Sequence, residues 1–181
     1  MKIDRALLAA TSAIAVIACA APANAAGSPA PAAWTLKIGE YTSLGQNAGS
    51  PFQIALGLDY RLDAKNLAAP AATSVYADFL GISSTTNSSY GSGFGVAYRS
   101  TGKAFIGAGI GLYSASITPA FAGSAGQSGA RTISASGPGG KLFAGLSFGS
   151  NLEIEAAYHI LPSAAPGVGS DGATVELGAR F

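Results

Sequence analysis

The sequence predicts an all-β fold, an eight-stranded antiparallel up-and-down transmembrane β-barrel. Three observations support this prediction. Apolar and polar residues alternate with a period of two over eight stretches, the connections between the stretches alternate in length, and the apolar faces carry almost no charge. Composition agrees, because 49% of the 181 residues are hydrophobic and only 10% are charged, which is too apolar for a disordered or nucleic-acid-binding chain. The mean hydropathy of +0.36 indicates contact with lipid.

The N-terminal residues have the pattern of a secretory signal peptide. Lys2 and Arg5 precede an apolar run from 6 to 18, and small residues stand at the spacing that a signal peptidase reads before Ala25. The apolar run is shorter than the roughly 20 residues that a transmembrane helix needs. We therefore expect residues 1–25 to be a signal peptide that directs the chain through the inner membrane and is then cleaved.

Cleavage after Ala25 would leave an Ala/Pro-rich tail, 26–33, followed by the barrel, 34–181. It would also remove Cys19, the only cysteine, so the mature chain would have no disulfide and no thiol site. The residues around Cys19 resemble a lipoprotein cleavage box as well. Lipidation of Cys19 is therefore an alternative that the sequence leaves open.

Of the first three predicted strands, the first two alternate regularly and the third does so less clearly. The apolar faces of the first two consist of Trp34, Leu36 and Ile38 and of Phe52, Ile54, Leu56, Leu58 and Tyr60. Their charged residues Lys37, Asp59 and Arg61 fall on the opposite face, because successive side chains of a strand point to opposite sides. The third strand, 74–82, alternates less cleanly and contains Asp78 on its polar face.

Strands four and five, 90–99 and 104–114, are predicted to form a hairpin because a short turn joins them. Their apolar faces consist of Phe94, Val96 and Tyr98 and of Ile106, Ala108, Ile110 and Leu112. The opposite faces contain Arg99 and the glycines 91, 93, 95, 107, 109 and 111. Since glycine marks close approach or vacant space in a strand, we expect the rings of Phe105, Tyr113, Phe143 and Tyr76 to lean over this wall, with a small pocket as the alternative.

The last three predicted strands are 141–149, 152–161 and 172–181. Their apolar faces consist of Leu142, Leu146 and Phe148, of Leu152, Ile154, Tyr158 and Ile160, and of Val175, Leu177, Ala179 and Phe181. Their opposite faces contain the charged residues Lys141, Glu153, Glu155, Glu176 and Arg180 together with His159, the only histidine. Each strand therefore has one uncharged face.

The connections indicate which rim of the barrel faces outward. Those after the fourth and sixth strands are short, whereas 42–51, 83–89, 115–139 and 162–171 are longer and rich in Gly, Ser and Ala. This asymmetry is typical of outer-membrane barrels, in which short turns face the periplasm and long loops face outside. The segment 62–72 is an exception, being long for a periplasmic turn. We expect the 115–139 loop to be the main contact region of the surface.

The two faces follow from the same pattern. A barrel in lipid presents hydrocarbon outward and polar groups inward, so the charges are predicted to form a network in the lumen. Its members are Lys37, Asp59, Arg61, Asp78, Arg99, Lys141, Glu153, Glu155, Glu176 and Arg180. We expect Arg180 to pair with Glu153 and Lys37 to lie between Glu176 and Asp59. An aromatic girdle is predicted at the periplasmic rim from Trp34, Tyr60, Tyr98 and Phe148, with the terminal Phe181 at the same depth.

The closing stretches NLEIEAAYHI and GATVELGARF, ending on an outward aromatic residue, resemble the end of small outer-membrane barrels of the opacity-protein and OmpA-membrane-domain type. The resemblance implies a Gram-negative outer membrane as location, outer-membrane lipids and lipopolysaccharide as surroundings, and recognition of Phe181 by the barrel-assembly machinery. It implies no cofactor and no catalytic residue. We expect a monomer that binds no nucleic acid.

Catalytic and metal-binding residues are scarce. His159, Ser163 and either Glu153 or Glu155 could suggest the His/Ser/acid arrangement of barrel hydrolases that deacylate lipid A. That family places the serine closer to its histidine. Here Leu161 and Pro162 stand between the two residues. Glu153 and Glu155 fit partners for interior cations better than a metal site. The expected function is a structural or surface-interaction role with a plugged lumen. A porin-like pore, a lipid-modifying enzyme and a soluble periplasmic binding barrel are the alternatives.

Overall fold

The computed structural model describes residues 34–44, 53–62, 71–82, 89–117, 132–163 and 171–181. It contains eight β-strands: β1 Trp34–Ser43, β2 Gln53–Arg61, β3 Ala71–Ile82, β4 Ser89–Ser100, β5 Ala104–Ile117, β6 Ile133–Phe148, β7 Leu152–Ile160 and β8 Gly172–Arg180. Within those described ranges, no helix has the length and apolar character needed to span a membrane. The predicted signal peptide, the tail and Cys19 lie outside the described residues.

The strands form a closed barrel in which each strand pairs antiparallel with the next. β1 closes the barrel against β8, in a register that places Thr35 opposite Arg180 and Ser43 opposite Gly172. Backbone hydrogen bonds run in both directions between Trp34 and Phe181, at 3.2 and 3.0 Å. The predicted fold class is therefore confirmed. We call the end of the barrel that contains Trp34 and Phe181 the terminal rim and the other end the far rim.

The strand boundaries agree with the prediction to within two residues, except at the start of β3 and at the far rim of β5 and β6. β3 begins at Ala71 rather than at 74, so the last two residues of the predicted 62–72 connection belong to it, because two successive alanines show no contrast in hydrophobicity.

β6 begins at Ile133, and its first residues pair with the end of β5 from Ser114 to Ile117. The prediction of a loop over 115–139 is therefore wrong at both ends. Ser, Ala and Gly alternate there with little contrast in hydrophobicity, so the period of two is hard to detect. Residues 118–131, like the centres of the other predicted long loops, lie outside the described residues.

The facing of the strands is the one that the alternation predicts. Along β7, every second residue from Glu153 to His159 is buried, whereas the residues that alternate with them are exposed. On β5 the outward residues Ile106 and Ile110 are 70% and 77% exposed. The outer surface is thus apolar between the rims, and the charged residues of β7 are inside the barrel.

Aromatic rings cover the glycine wall formed by β4 and β5, as predicted. A Cβ atom added to Gly93 would collide with the ring of Tyr113, and one added to Gly107 would collide with the ring of Phe143. At Gly109 the added atom would lie 2.8 Å from Cε1 of Tyr76. The hypothesis that rings lean over this wall is confirmed for Tyr113, Phe143 and Tyr76, whereas the Phe105 ring lies over Gly145 of β6.

Gly107→Ala is expected to destabilise the barrel by about 1–3 kcal/mol, the usual effect of overpacking. Its methyl group would meet both the Phe143 ring and, at 2.7 Å, the backbone oxygen of Tyr98, which cannot rotate away. Gly137→Ala is the matched control, because its nearest contact would be Pro162 Cβ at an ordinary 3.7 Å. Urea unfolding of both variants in lipid vesicles measures the difference. Equal destabilisation would contradict the packing argument.

Candidate functional site

The candidate site is the charged interior, which we define as the ten predicted network residues that line the inside of the barrel. Its members come from seven of the strands, β1 to β4 and β6 to β8. They lie inside because each is on the polar face of its strand, and successive side chains of a strand point to opposite faces. Three groups of contacts follow one another from the far rim to the terminal rim.

The first group surrounds Asp78 near the far rim. Lys141 Nζ donates to Asp78 Oδ1 at 3.1 Å, and the Tyr113 hydroxyl donates to Oδ2 at 3.3 Å. The Tyr113 hydroxyl also lies 2.9 Å from that of Tyr76, whose ring centroid is 4.1 Å from Lys141 Nζ. His159 Nδ1 is 3.8 Å from Asp78 Oδ2. A buried carboxylate thus has a cation and a hydroxyl as partners, which offsets its desolvation.

The second group surrounds Lys37 at mid-height. Its ammonium group lies 2.7 Å from Asp59 Oδ2 and 2.8 Å from Glu155 Oε2, and the Lys37 side chain is 1% exposed. Asp59 Oδ1 in turn lies 4.0 Å from Lys141 Nζ, which connects this group to the first. Ion pairs with full desolvation of this kind depend on both partners being present.

The third group surrounds Glu153 at the terminal rim. Glu153 is fully buried and accepts hydrogen bonds from Arg99 Nη1 at 3.0 Å and from Arg180 Nε at 3.0 Å. Arg180 Nη2 contacts the same carboxylate and donates to Ser147 Oγ at 2.9 Å. The guanidinium carbon of Arg99 lies 3.6 Å from the centroid of the Phe105 ring, a cation–π geometry. The expected pair of Arg180 with Glu153 is present.

The prediction that Lys37 lies between Glu176 and Asp59 is correct for Asp59 and wrong for Glu176. The second carboxylate at the ammonium group is Glu155 of β7, not Glu176 of β8. Glu155 and Glu176 lie directly opposite each other in the β7–β8 register, so both are candidates from the strand positions. Only the direction of the side chains decides between them. Glu176 is 3% exposed and remains inside the barrel.

His159 lies inside the barrel, next to a threonine of the neighbouring strand. Its ring is 1% exposed, and Nε2 lies 3.2 Å from Thr174 Oγ1 on β8. Ser163 lies beyond the end of β7 and is exposed. Thr174, Ser147 and the two tyrosine hydroxyls are the interior contacts that the sequence prediction missed. Their positions on the polar phase of the strands could have indicated them.

Some polar atoms of the interior have no hydrogen-bond partner among the described residues. They include Asp59 Oδ1, Glu155 Oε1 and His159 Nδ1, together with both side-chain polar atoms of Gln53. Buried atoms of this kind are commonly satisfied by internal water. Arg61, the last member of the network, lies at the end of β2 on the terminal rim and is partly exposed.

The predicted girdle residues lie on the outside of the barrel toward the terminal rim. Trp34, Tyr98, Phe148 and Phe181 are 41%, 62%, 54% and 51% exposed. The Trp34 and Tyr60 rings contact each other with centroids 4.6 Å apart. Their placement is the one expected of residues at a membrane–water interface.

Solved structures of other proteins share this fold. No protein-family model and no curated protein matches this chain. Among solved structures, Neisserial surface protein A is similar over 82% of this chain and 94% of its own, with a TM-score of 0.52 and 12% sequence identity. The chain has the fold of a small outer-membrane β-barrel.

The resemblance predicted from the closing strands is therefore confirmed for the fold. Two other small barrels match over similar lengths. The N-terminal β-barrel domain of Pseudomonas aeruginosa OprF covers 81% of this chain and 97% of its own at 11% identity, with a TM-score of 0.48. Ail, the attachment invasion locus protein of Yersinia pestis, covers 83% and 99% at 14% identity, with a TM-score of 0.45.

Proposed function

We propose that this chain is a bacterial outer-membrane barrel with a structural or surface-interaction role and a lumen plugged by charged side chains. The observation that carries the proposal is that apolar side chains cover the outside of the barrel and ion pairs lie inside it. A soluble barrel has the opposite arrangement. Outer-membrane lipids, lipopolysaccharide and, through Phe181, the barrel-assembly machinery are its proposed partners. It acts as a monomer in this proposal.

The outer surface supports the membrane location. A soluble barrel would bury its large apolar residues, yet Phe94, Tyr98 and Leu112 are 64%, 62% and 56% exposed. Exposed apolar area on this scale is unfavourable in water by about 25 cal/mol per Å². In a bilayer the same surface needs no protein partner, and the closed barrel leaves no unpaired strand edge.

The dense packing of side chains in the interior supports the proposal of a plugged lumen. Eight strands enclose a space that side chains just fill, and Lys37, Lys141 and Glu155 are each at most 2% exposed. The aromatic rings that cover the glycine wall occupy further space beside these ions. For His159 we propose a structural role, because its contacts are Thr174 and Asp78.

Membrane fractionation with a heat-modifiability gel tests the proposed location. We expect the protein in the outer-membrane fraction and a different migration of the unboiled sample, because a folded barrel is compact. Followed over time, the same gel tests Phe181, whose deletion should slow the appearance of the folded band. Recovery of the protein in the soluble fraction without detergent would contradict the proposal and favour the soluble binding barrel.

A small pore is the second candidate, because the interior is polar and contains buried atoms without a hydrogen-bond partner among the described residues. Planar-bilayer recording distinguishes the two. Wild-type protein with a plugged lumen is expected to show no steady open-pore conductance. Stable and large single-channel currents from the purified protein would contradict the plug and support the pore.

A further inference from the structure

The outer face of the barrel contains an apolar groove of about 880 Å³. Two rows of outward side chains border it: Val75, Val96 and Ile110 on one side, and Ala77, Phe94 and Leu112 on the other. Between the rows lie Gly95, Gly111 and Gly139, which are paired with one another across β4, β5 and β6. No charged residue lines the groove. Its volume is in the range of sites that bind small molecules.

The strand register shows that the groove crosses the apolar outer surface diagonally. It begins at Trp34, the first residue of β1, which is opposite Tyr60. It ends at Pro138 of β6, which lies ten residues from Phe148, the terminal-rim end of that strand. Five steps between neighbouring strands at about 4.8 Å make a path of roughly 24 Å along the curved outer wall. An elongated apolar ligand would fit such a groove.

Hydroxyl groups lie next to the end of the groove that is nearer the far rim. Ser92, Ser114 and Ser136 lie one outward position nearer the far rim than Phe94, Leu112 and Pro138 on β4, β5 and β6. We define these three residues with Tyr90, Ser116 and Ser134 as the hydroxyl ladder. Ser116 and Ser134 hydroxyls lie 2.8 Å apart, and Ser136 donates to Ser114 at 3.1 Å.

The ladder is suited to a neutral polyhydroxyl group. Each serine hydroxyl has one donor and two acceptor positions, so hydrogen bonds within the ladder leave acceptor capacity for a ligand. Tyr90 is 42% exposed and offers an aromatic ring beside them.

We propose that the groove and the ladder together bind one sugar-headed lipid, with an acyl chain in the groove and the sugar on the hydroxyl ladder. The groove is apolar and elongated, and the ladder adjoins its far-rim end, so a single amphipathic molecule satisfies both surfaces. This inference rests on the proposed outer-membrane location. It adds a defined binding site to a surface that would otherwise contact lipid only nonspecifically.

Native mass spectrometry of the purified full chain in a mild non-ionic detergent tests the proposal. The probe is digalactosyl diacylglycerol, and the comparison lipid is phosphatidylcholine with the same acyl chains. We expect one molecule of the galactolipid to bind about tenfold more tightly than phosphatidylcholine, the effect of 1.4 kcal/mol. Ser92→Ala, Ser114→Ala and Ser136→Ala in one variant should abolish this preference, because they remove the three hydroxyls nearest the groove.

A matched pair of outward alanines tests the groove. Ala77 borders it, and Ala77→Phe should fill the space and weaken binding of both lipids by about tenfold. Ala144 of β6 is also outward and exposed but does not line the groove, so Ala144→Phe should leave binding unchanged. Equal effects of the two phenylalanines would mean nonspecific lipid contact and would overturn the site. Equal affinity for the two lipids, or a dimer in place of a lipid complex, would also overturn it.

The heat-modifiability gel separates failure of this inference from failure of the proposed function. Each variant is compared with the wild type before lipid is added, and a folded band is required. A wild-type chain without such a band would contradict the outer-membrane barrel itself. A folded barrel without selective lipid binding would contradict only the lipid site.

Discussion

Lys37→Met is expected to destabilise the folded barrel by about 3–5 kcal/mol, the usual effect of removing one partner from a buried ion pair. The ammonium group lies between Asp59 and Glu155 at 2.7 and 2.8 Å, and its side chain is 1% exposed. Methionine retains the apolar stem but leaves both carboxylates without this cation. Glu176 lies opposite Glu155, so three acids would then share the space. Urea unfolding in lipid vesicles measures the free energy of unfolding.

Lys103→Met is the matched control for this prediction. Lys103 lies in the turn between β4 and β5 and is exposed, so the same substitution should change the free energy of unfolding by no more than about 0.5 kcal/mol. Combining Lys37→Met with Glu155→Met provides a second check. The double variant should be less destabilised than the sum of the two single variants, because the two groups are in direct contact. Additive losses would count against the pairing.

Leu177→Arg is expected to reduce insertion strongly, with a loss of about 2–4 kcal/mol for a cation on the lipid face near the middle of the bilayer. Leu177 is on the outward phase of β8, flanked by Ile38 of β1 and Ile154 of β7. Arginine would thus replace hydrocarbon between two hydrocarbon neighbours. The fraction of folded protein in the membrane, read from the heat-modifiability gel, measures the effect.

Thr174→Ser is the companion substitution on the inner face of the same strand. It retains the hydroxyl that lies 3.2 Å from His159 Nε2 and removes one methyl group, so its expected effect is below about 1 kcal/mol. Similar losses of folded protein in the Leu177 and Thr174 variants would mean that the outer surface of β8 does not contact lipid.

The facing of the interior residues could be predicted from sequence because it depends on a local property. Neighbouring residues of a strand point to opposite sides, so Val175 and Glu176 had to face opposite surfaces once β8 was recognised. The aromatic cover of the glycine wall followed in the same way, since Gly107 and Phe143 both lie on the polar phase. The extension of β6 to Ile133 did not follow, because Ser, Ala and Gly have too little contrast to show a period.

The contacts within the charged interior required the three-dimensional structure. Glu155 and Glu176 occupy equivalent inward positions on adjacent strands, and the sequence offers no physical reason for Lys37 to contact one rather than the other. The outcome depends on how far each side chain reaches across a curved wall. The same holds for the proposed lipid site, whose groove residues lie on six different strands and meet only through the stagger of the barrel.

The sequence by itself determined the number of strands, their inward and outward faces, and the enclosure of the charges. The alternation can be read residue by residue along each strand, and eight such strands pair all their backbone edges when the sheet closes into a barrel. The tertiary structure decided which acids contact Lys37, where β5 and β6 end, and how the outer side chains form a groove. These features depend on distances between strands far apart in the chain, which register and side-chain direction set together.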